Sequence, residues 1–208
     1  NTFAEADGVA YGNSYNGNVT FNCAGNGNVF ISYLDTIQCT GNLTIIRTAA
    51  GLTSAFNSGA AIGGNFNYTN NTAGETGFGN LLNKTSIGGT INITANFTTP
   101  NNFGMHRLVN QTNGGTITVT NSFGFSVQND TLLATINITG YKGGQYAYLF
   151  NNNITGSVTI ADDASFGGGY TTNIRSNVIT GNSIFNISGI NTFAEADGVA
   201  YGNSYNGN

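Results

Sequence analysis

Eight short segments of the chain share the pattern small-x-apolar-x-apolar, beginning at Gly17, Gly41, Gly64, Gly89, Gly115, Ala134, Gly156 and Ser183. A ninth begins at Gly207, and the spacing averages about 24 residues, within the range of stacked-repeat architectures. Alternation with period two marks a β-strand with one buried face. The first apolar column is Val19, Leu43, Phe66, Ile91, Ile117, Ile136, Val158 and Phe185. The second is Phe21, Ile45, Tyr68, Ile93, Val119, Ile138, Ile160 and Ile187. Between them stand Thr20, Thr44, Asn67, Asn92, Thr118, Asn137, Thr159 and Asn186. The pattern predicts an inward core ladder of the sixteen apolar residues and an outward face of Thr and Asn.

A second element follows about a dozen residues later in each unit, marked by an aromatic: Phe30, Phe56, Phe78, Phe103, Phe125, Tyr148, Tyr170 or Phe193. Gly and Asn clusters such as Ala24-Gly25-Asn26-Gly27 and Gly167-Gly168-Gly169 lie between the two elements. They supply the backbone freedom that tight corners need.

A longer repeat encloses the short one. Asn1–Asn18 and Asn191–Asn208 are identical letter for letter, so the whole pattern restarts at Asn191. Residues 1–190 are therefore read as one full repeat and 191–208 as the start of the next, cut from a longer tandem array. A unit of about 24 residues cannot bury its own apolar face, but stacked units can, each pairing with the next through parallel hydrogen bonds. The expected fold is all-β, a β-solenoid (β-helix) with about eight coils of about 24 residues per 190-residue repeat. A string of β-sandwich domains is the rival; it would not repeat its inner motif at near-equal spacing.

Composition narrows the function. Gly, Asn and Thr make up 45% of the chain, and charged residues only 7%. A net charge of −4 with five Lys and Arg excludes electrostatic nucleic-acid binding as a main role. No apolar run approaches the roughly 20 residues of a membrane helix.

The chemistry-bearing residues are few. His106 is the lone histidine, without the partners of a catalytic triad. Asp162-Asp163 is the only acidic pair; it reads as a solvated turn rather than a calcium corner or a pair of glycosidase acids. Cys23 and Cys39 are expected to be free or packed thiols, with a bridge left open. No catalytic, cofactor or metal residue is assigned. Asp35-Thr36-Ile37 and Asp130-Thr131-Leu132 look similar to Asp-Thr-apolar sites of bacterial O-glycosylation, which makes Thr36 and Thr131 candidates. The Asn-x-Ser/Thr triplets are explained by the ladder pattern itself. The Thr/Asn face is too mixed to read as a strict ice-binding array, because such residues suit any exposed β surface.

The run Tyr15-Asn16-Gly17-Asn18-Val19-Thr20-Phe21-Asn22, echoed by Gly41-Asn42-Leu43-Thr44-Ile45, resembles the giant Asn/Thr/Gly-rich tandem-repeat surface proteins of gliding and filamentous bacteria of the Bacteroidota type. The resemblance implies a very long secreted chain that builds surface fibres or adhesive appendages, the grappling-hook filaments of predatory filamentous bacteria among them. It carries over no catalytic motif. The leading expectation is thus a non-enzymatic, extracellular or cell-surface structural unit, without a cofactor, whose partners are lateral copies of itself. Glycans or another cell surface are further partners. The alternatives are an adhesin stalk with an ice- or glycan-binding face, or a tailspike-like enzyme acting on polysaccharide.

Overall fold

The computed structural model of the chain describes residues 3–5, 13–25, 29–31, 37–48, 53–55, 60–70, 80–83, 85–95, 102–106, 116–120, 124–128, 131–132, 135–141, 147–162, 171–187, 192–195 and 202–207. In chain order the strands begin β1 (Phe3–Glu5), β2 (Ser14–Tyr15), β3 (Val19–Cys23), β4 (Val29–Ile31), β5 (Ile37–Cys39), β6 (Leu43–Arg47), β7 (Thr53–Ala55), β8 (Ala60–Ile62) and β9 (Phe66–Asn70). They continue β10 (Asn80–Asn83), β11 (Thr85–Ile87), β12 (Ile91–Ala95), β13 (Asn102–His106), β14 (Thr116–Thr120), β15 (Gly124–Gln128), β16 (Thr131–Leu132) and β17 (Thr135–Tyr141). The last are β18 (Ala147–Phe150), β19 (Asn153–Ile154), β20 (Val158–Asp162), β21 (Thr171–Arg175), β22 (Val178–Ile179), β23 (Ser183–Asn186), β24 (Thr192–Glu195) and β25 (Ser204–Tyr205). No helix occurs among the described residues.

All pairings between these strands are parallel, and each strand pairs with its counterpart one turn away, which makes the fold a β-solenoid. The long face is an eight-stranded sheet in the order β23-β20-β17-β14-β12-β9-β6-β3. The opposing face comprises the sheets β1-β4-β7 and β10-β13-β15-β18-β21-β24. Two four-stranded corner sheets, β11-β8-β5-β2 and β16-β19-β22-β25, close the circuit. Each corner stack is thus about four turns deep. The count of eight coils is not supported, because no described corner strand joins Ile87 at the end of one stack to Thr131 at the start of the other.

Alternation along the long strands does what the sequence pattern requires. Leu43, Ile45, Phe66, Tyr68, Ile91, Ile93, Ile117, Val119, Ile136, Ile138, Val158 and Ile160 are each at most 1% exposed. Val19, Phe21, Phe185 and Ile187, on the outermost rungs, are partly buried and pack against this core. Burying such side chains is worth about 1.5–3 kcal/mol each.

Two expectations need correction. Ser183, not Phe185, pairs with Val158, and Phe185 lies opposite Ile160. The true corner residue of that rung is Gly181: a Cβ there would meet Gly156 C at 2.5 Å and Ser157 N at 2.6 Å, so backbone lies directly on backbone. Gly41 repeats the arrangement over Gly17 C at 2.6 Å. The column of second-element aromatics also dissolves. Phe103 pairs with Phe125, but Phe125 pairs with Ala147 rather than Tyr148. Phe30 faces Ser54, and Phe193 faces Thr172. Phe56, Phe78 and Tyr170 lie outside the described residues. Among the side chains described on this face, Val127, Leu149 and Ile174 are fully buried and stand in one register. Connections of unequal length had shifted the apparent alignment.

One irregularity interrupts the long face. Ile138 pairs with Ile160, but the next pair is Tyr141 with Asp162, so β17 carries an extra residue. Gly140, at φ 64°, lies inside this bulge. The left-handed backbone is the one a glycine bulge uses.

On this core, Ile138→Asp is expected to cost roughly 4 kcal/mol or more, because it puts an unpaired charge on an interior rung. Thr118→Ser, on the outer side of the same face, is expected to stay within about 0.5 kcal/mol of the unmodified chain. Urea denaturation of both variants measures the difference, and equal losses would reverse the inside/outside assignment.

Candidate functional site: polar ladders

Two asparagine ladders hold the corners, and they differ in burial. At the first, the backbone N–H of Asn42 donates to Asn18 Oδ1, that of Asn65 to Asn42 Oδ1, and that of Thr90 to Asn65 Oδ1, each at 2.8 Å. Every such bond joins one turn to the turn before it. On the outer side of β6, β9 and β12, Asn67 Nδ2 donates to Thr44 Oγ1 at 3.4 Å, and Asn92 Nδ2 donates to Asn67 Oδ1 at 2.9 Å.

The second ladder is interior. Asn152 is 3% and Asn177 1% exposed. Asn152 donates to Asn177 Oδ1 through its backbone N–H at 3.1 Å and its Nδ2 at 2.9 Å. Asn177 donates to Asn203 Oδ1 in the same two ways, both at 2.9 Å. The amides also satisfy main-chain carbonyls: Asn152 Nδ2 donates to Val127 O at 3.0 Å, Asn177 Nδ2 to Leu149 O at 2.8 Å, and Asn203 Nδ2 to Ile174 O at 2.7 Å. The residues just before the two buried asparagines, Asn151 (φ 55°) and Ser176 (φ 57°), adopt left-handed backbone, which turns the chain from one face into the corner.

The cysteines are both free. Cys39 is buried in the corner core, with its thiol donating to Gly17 O at 3.2 Å. Cys23 ends β3, half-buried, in register with Arg47, which in turn stands opposite Asn70. Arg47 and Asn70 are both 0% exposed, so this third inward column is polar. Burial pushes the Cys23 thiol above its ordinary range, and the Arg47 cation opposes that shift without cancelling it. Near the other end, Arg175 lies over the Phe150 ring, 5.3 Å from its centroid.

Among the described residues the structure does not gather the candidate reactive residues. Asp162 closes β20, whereas Asp163 lies outside the described residues. His106 ends β13 and Thr131 opens β16, and Thr36 lies outside the described residues. Among the described residues no group of three or more His, Cys, Asp or Glu could hold a metal ion. No described helix is long and apolar enough to cross a membrane.

Sequence reasoning missed the corner column Cys39, Ile62, Ile87, Ile154 and Ile179, each at most 3% exposed. The signal was present. Each of these residues stands two positions before a corner glycine, as Tyr15 does before Gly17. The same rule applied to Ile179 would have picked Gly181 as the anchor of its rung.

β3 and β23 terminate the long face, each paired on one side only among the described strands. The chain matches no family model, no curated protein and no solved structure.

Two measurements test this geometry. Asn177→Ala strips donors and acceptors from buried Leu149 O and Asn152 N, so a loss of about 3 kcal/mol or more is expected. Asn18→Ala, at an exposed corner where water replaces the amide, should cost about 1 kcal/mol or less. A comparable loss for both would contradict the burial of the second ladder. For the thiols, alkylation of Cys23 in the folded chain should have a pH midpoint above that of a free cysteine. Cys39 should react more slowly still, and equal rates would contradict the two placements.

Proposed function

We propose that the chain is the structural repeat unit of a long secreted or cell-surface fibre, load-bearing and adhesive, with no reaction centre. The observation that carries this reading is the letter-for-letter duplication of Asn1–Asn18 at Asn191–Asn208 in a parallel solenoid. A stack that repeats its own opening sequence can restart its pattern without changing register. The reading takes each 190-residue period as eight coils, an axial advance of about 38 Å at about 4.8 Å per rung.

Low charge and the outward Asn and Thr rows suit lateral packing of several copies into a thicker filament. The resemblance to Asn/Thr/Gly-rich repeat proteins of filamentous bacteria supports the extracellular placement. An adhesin stalk is the second reading, favoured by the hydrogen-bonded Thr44-Asn67-Asn92 row, a regular polar face for glycans or another cell surface.

The test is made on native filaments. Mass spectrometry of purified fibres should return peptides of this sequence. Diffraction or imaging should give rungs about 4.8 Å apart and an axial period of about 38 Å. Recovery of the sequence solely as a small soluble protein inside cells would overturn the proposal.

A further inference from the structure

The outward side of the long face reads alike in both directions along the stack. Its second outward column holds four threonines in register, Thr69, Thr94, Thr120 and Thr139. One rung beyond Thr69 stands Ile46, and beyond that Asn22. On the other side Ala161 follows across the Gly140 bulge, and beyond it Asn186. From the gap between β12 and β14, each direction therefore gives two threonines, an aliphatic residue and an asparagine. The first outward column comes close to the same symmetry. Thr44 and Thr159 stand at equal distances from that gap, as do Asn67 and Asn137. On the rungs beyond, Thr20 balances Ile184, which is 51% exposed.

Such a face is complementary to its own image turned about a two-fold axis that lies in the face, along the strands, between β12 and β14. Strand direction is kept and stacking direction is reversed. Thr94 then meets Thr120 of the second copy, Thr69 meets Thr139 and Ile46 meets Ala161. Thr20 of the second copy covers Ile184. Each contact occurs twice, as in any isologous pair. The other two-fold, along the stack, would set Ile46 against Asn42.

Charge, satisfaction and area agree. Neither outward column carries a charged residue, so two copies of a chain with net charge −4 bring no like charges together here. Covering polar groups is costly when they lose their partners. Asn67 Nδ2 already donates to Thr44 Oγ1, and Asn92 Nδ2 to Asn67 Oδ1 and Thr90 Oγ1, so these bonds survive the covering. Eight strands at about 4.8 Å and five residues at about 3.3 Å give a face of about 600 Å². Two such faces bury about 1,200 Å², the lower bound for a specific, stable interface. Neither column holds an aromatic ring on which a sugar could stack, which favours a second copy over a glycan.

We propose that two copies of this chain pair through the outward side of the long face, with their stacks antiparallel about this axis. The pairing deepens the fibre reading by naming its lateral contact, and rests on it for purpose alone. Absence of the sequence from native filaments would remove that purpose and leave the association of the purified chain untouched.

Sedimentation of the full chain should show a concentration-dependent dimer. Thr94→Lys and Thr120→Glu, each alone, should weaken it about tenfold or more, because each sets two like charges beside the axis. Mixed in equal amounts the two variants should recover the dimer, since each new lysine then faces a new glutamate. Gln38→Lys, at an exposed corner position, should leave association unchanged. Should either face variant not fold, Ile184→Lys with Thr20→Glu, both at exposed side chains, repeats the test. No recovery on mixing would overturn the geometry, because the two-fold along the stack keeps those charges apart. A monomer at every concentration, even one that holds an insoluble polysaccharide, would overturn the pairing outright.

Discussion

Backbone contact at the corners is the constraint on which the rest of the stack depends. Where Gly41 crosses Gly17, and Gly181 crosses Gly156, successive turns approach so closely that only a hydrogen fits in place of a side chain. That contact fixes where each turn starts relative to the one before. From that point Val19 falls on Leu43, Leu43 on Phe66 and Phe66 on Ile91, and a dry core follows. A slip of one residue would turn every apolar side chain of a strand to the wrong face. The corner glycines thus act on the core from outside it.

Polar groups then reinforce the register. At the corner of Asn18, Asn42 and Asn65, each turn donates to the turn before it. At the corner of Asn152, Asn177 and Asn203, each turn donates to the turn after it. An asparagine amide can donate and accept at once, so one side chain serves its own rung and its neighbour. Inside the stack, that capacity supplies donors to the Leu149 and Ile174 carbonyls, which water does not reach. Buried networks of this kind are stable only when complete.

The long face was legible because every second residue obeys one rule over many turns. Twelve of the expected ladder residues are almost wholly buried, while the other four are partly buried and pack against them. Three things were not legible. The last rung was misread because Ser183 mimics a small anchor two residues after Gly181. The opposing face was misread because its connections vary in length, so aromatic rings were aligned where Val127, Leu149 and Ile174 form the true column. The polar interior at Arg47 and Asn70 carries no pattern of its own, since a charged residue in an inward position breaks the rule by which inward positions are recognised. As for the candidate site, the chemistry of single residues pointed nowhere. The opposite hydrogen-bond directions of the two asparagine ladders are a matter that no sequence displays.

The parallel ladder has a mechanical corollary. Its hydrogen bonds run along the direction in which turns pile up, so a tug on the rod pulls them open in sequence instead of shearing them all together. Each turn that comes away shortens the rod by about 4.8 Å but frees about 24 residues of thread, roughly 80 Å when drawn out. The molecule would yield stepwise and lengthen greatly before any covalent bond is strained, the behaviour of a tether that dissipates a sudden jerk.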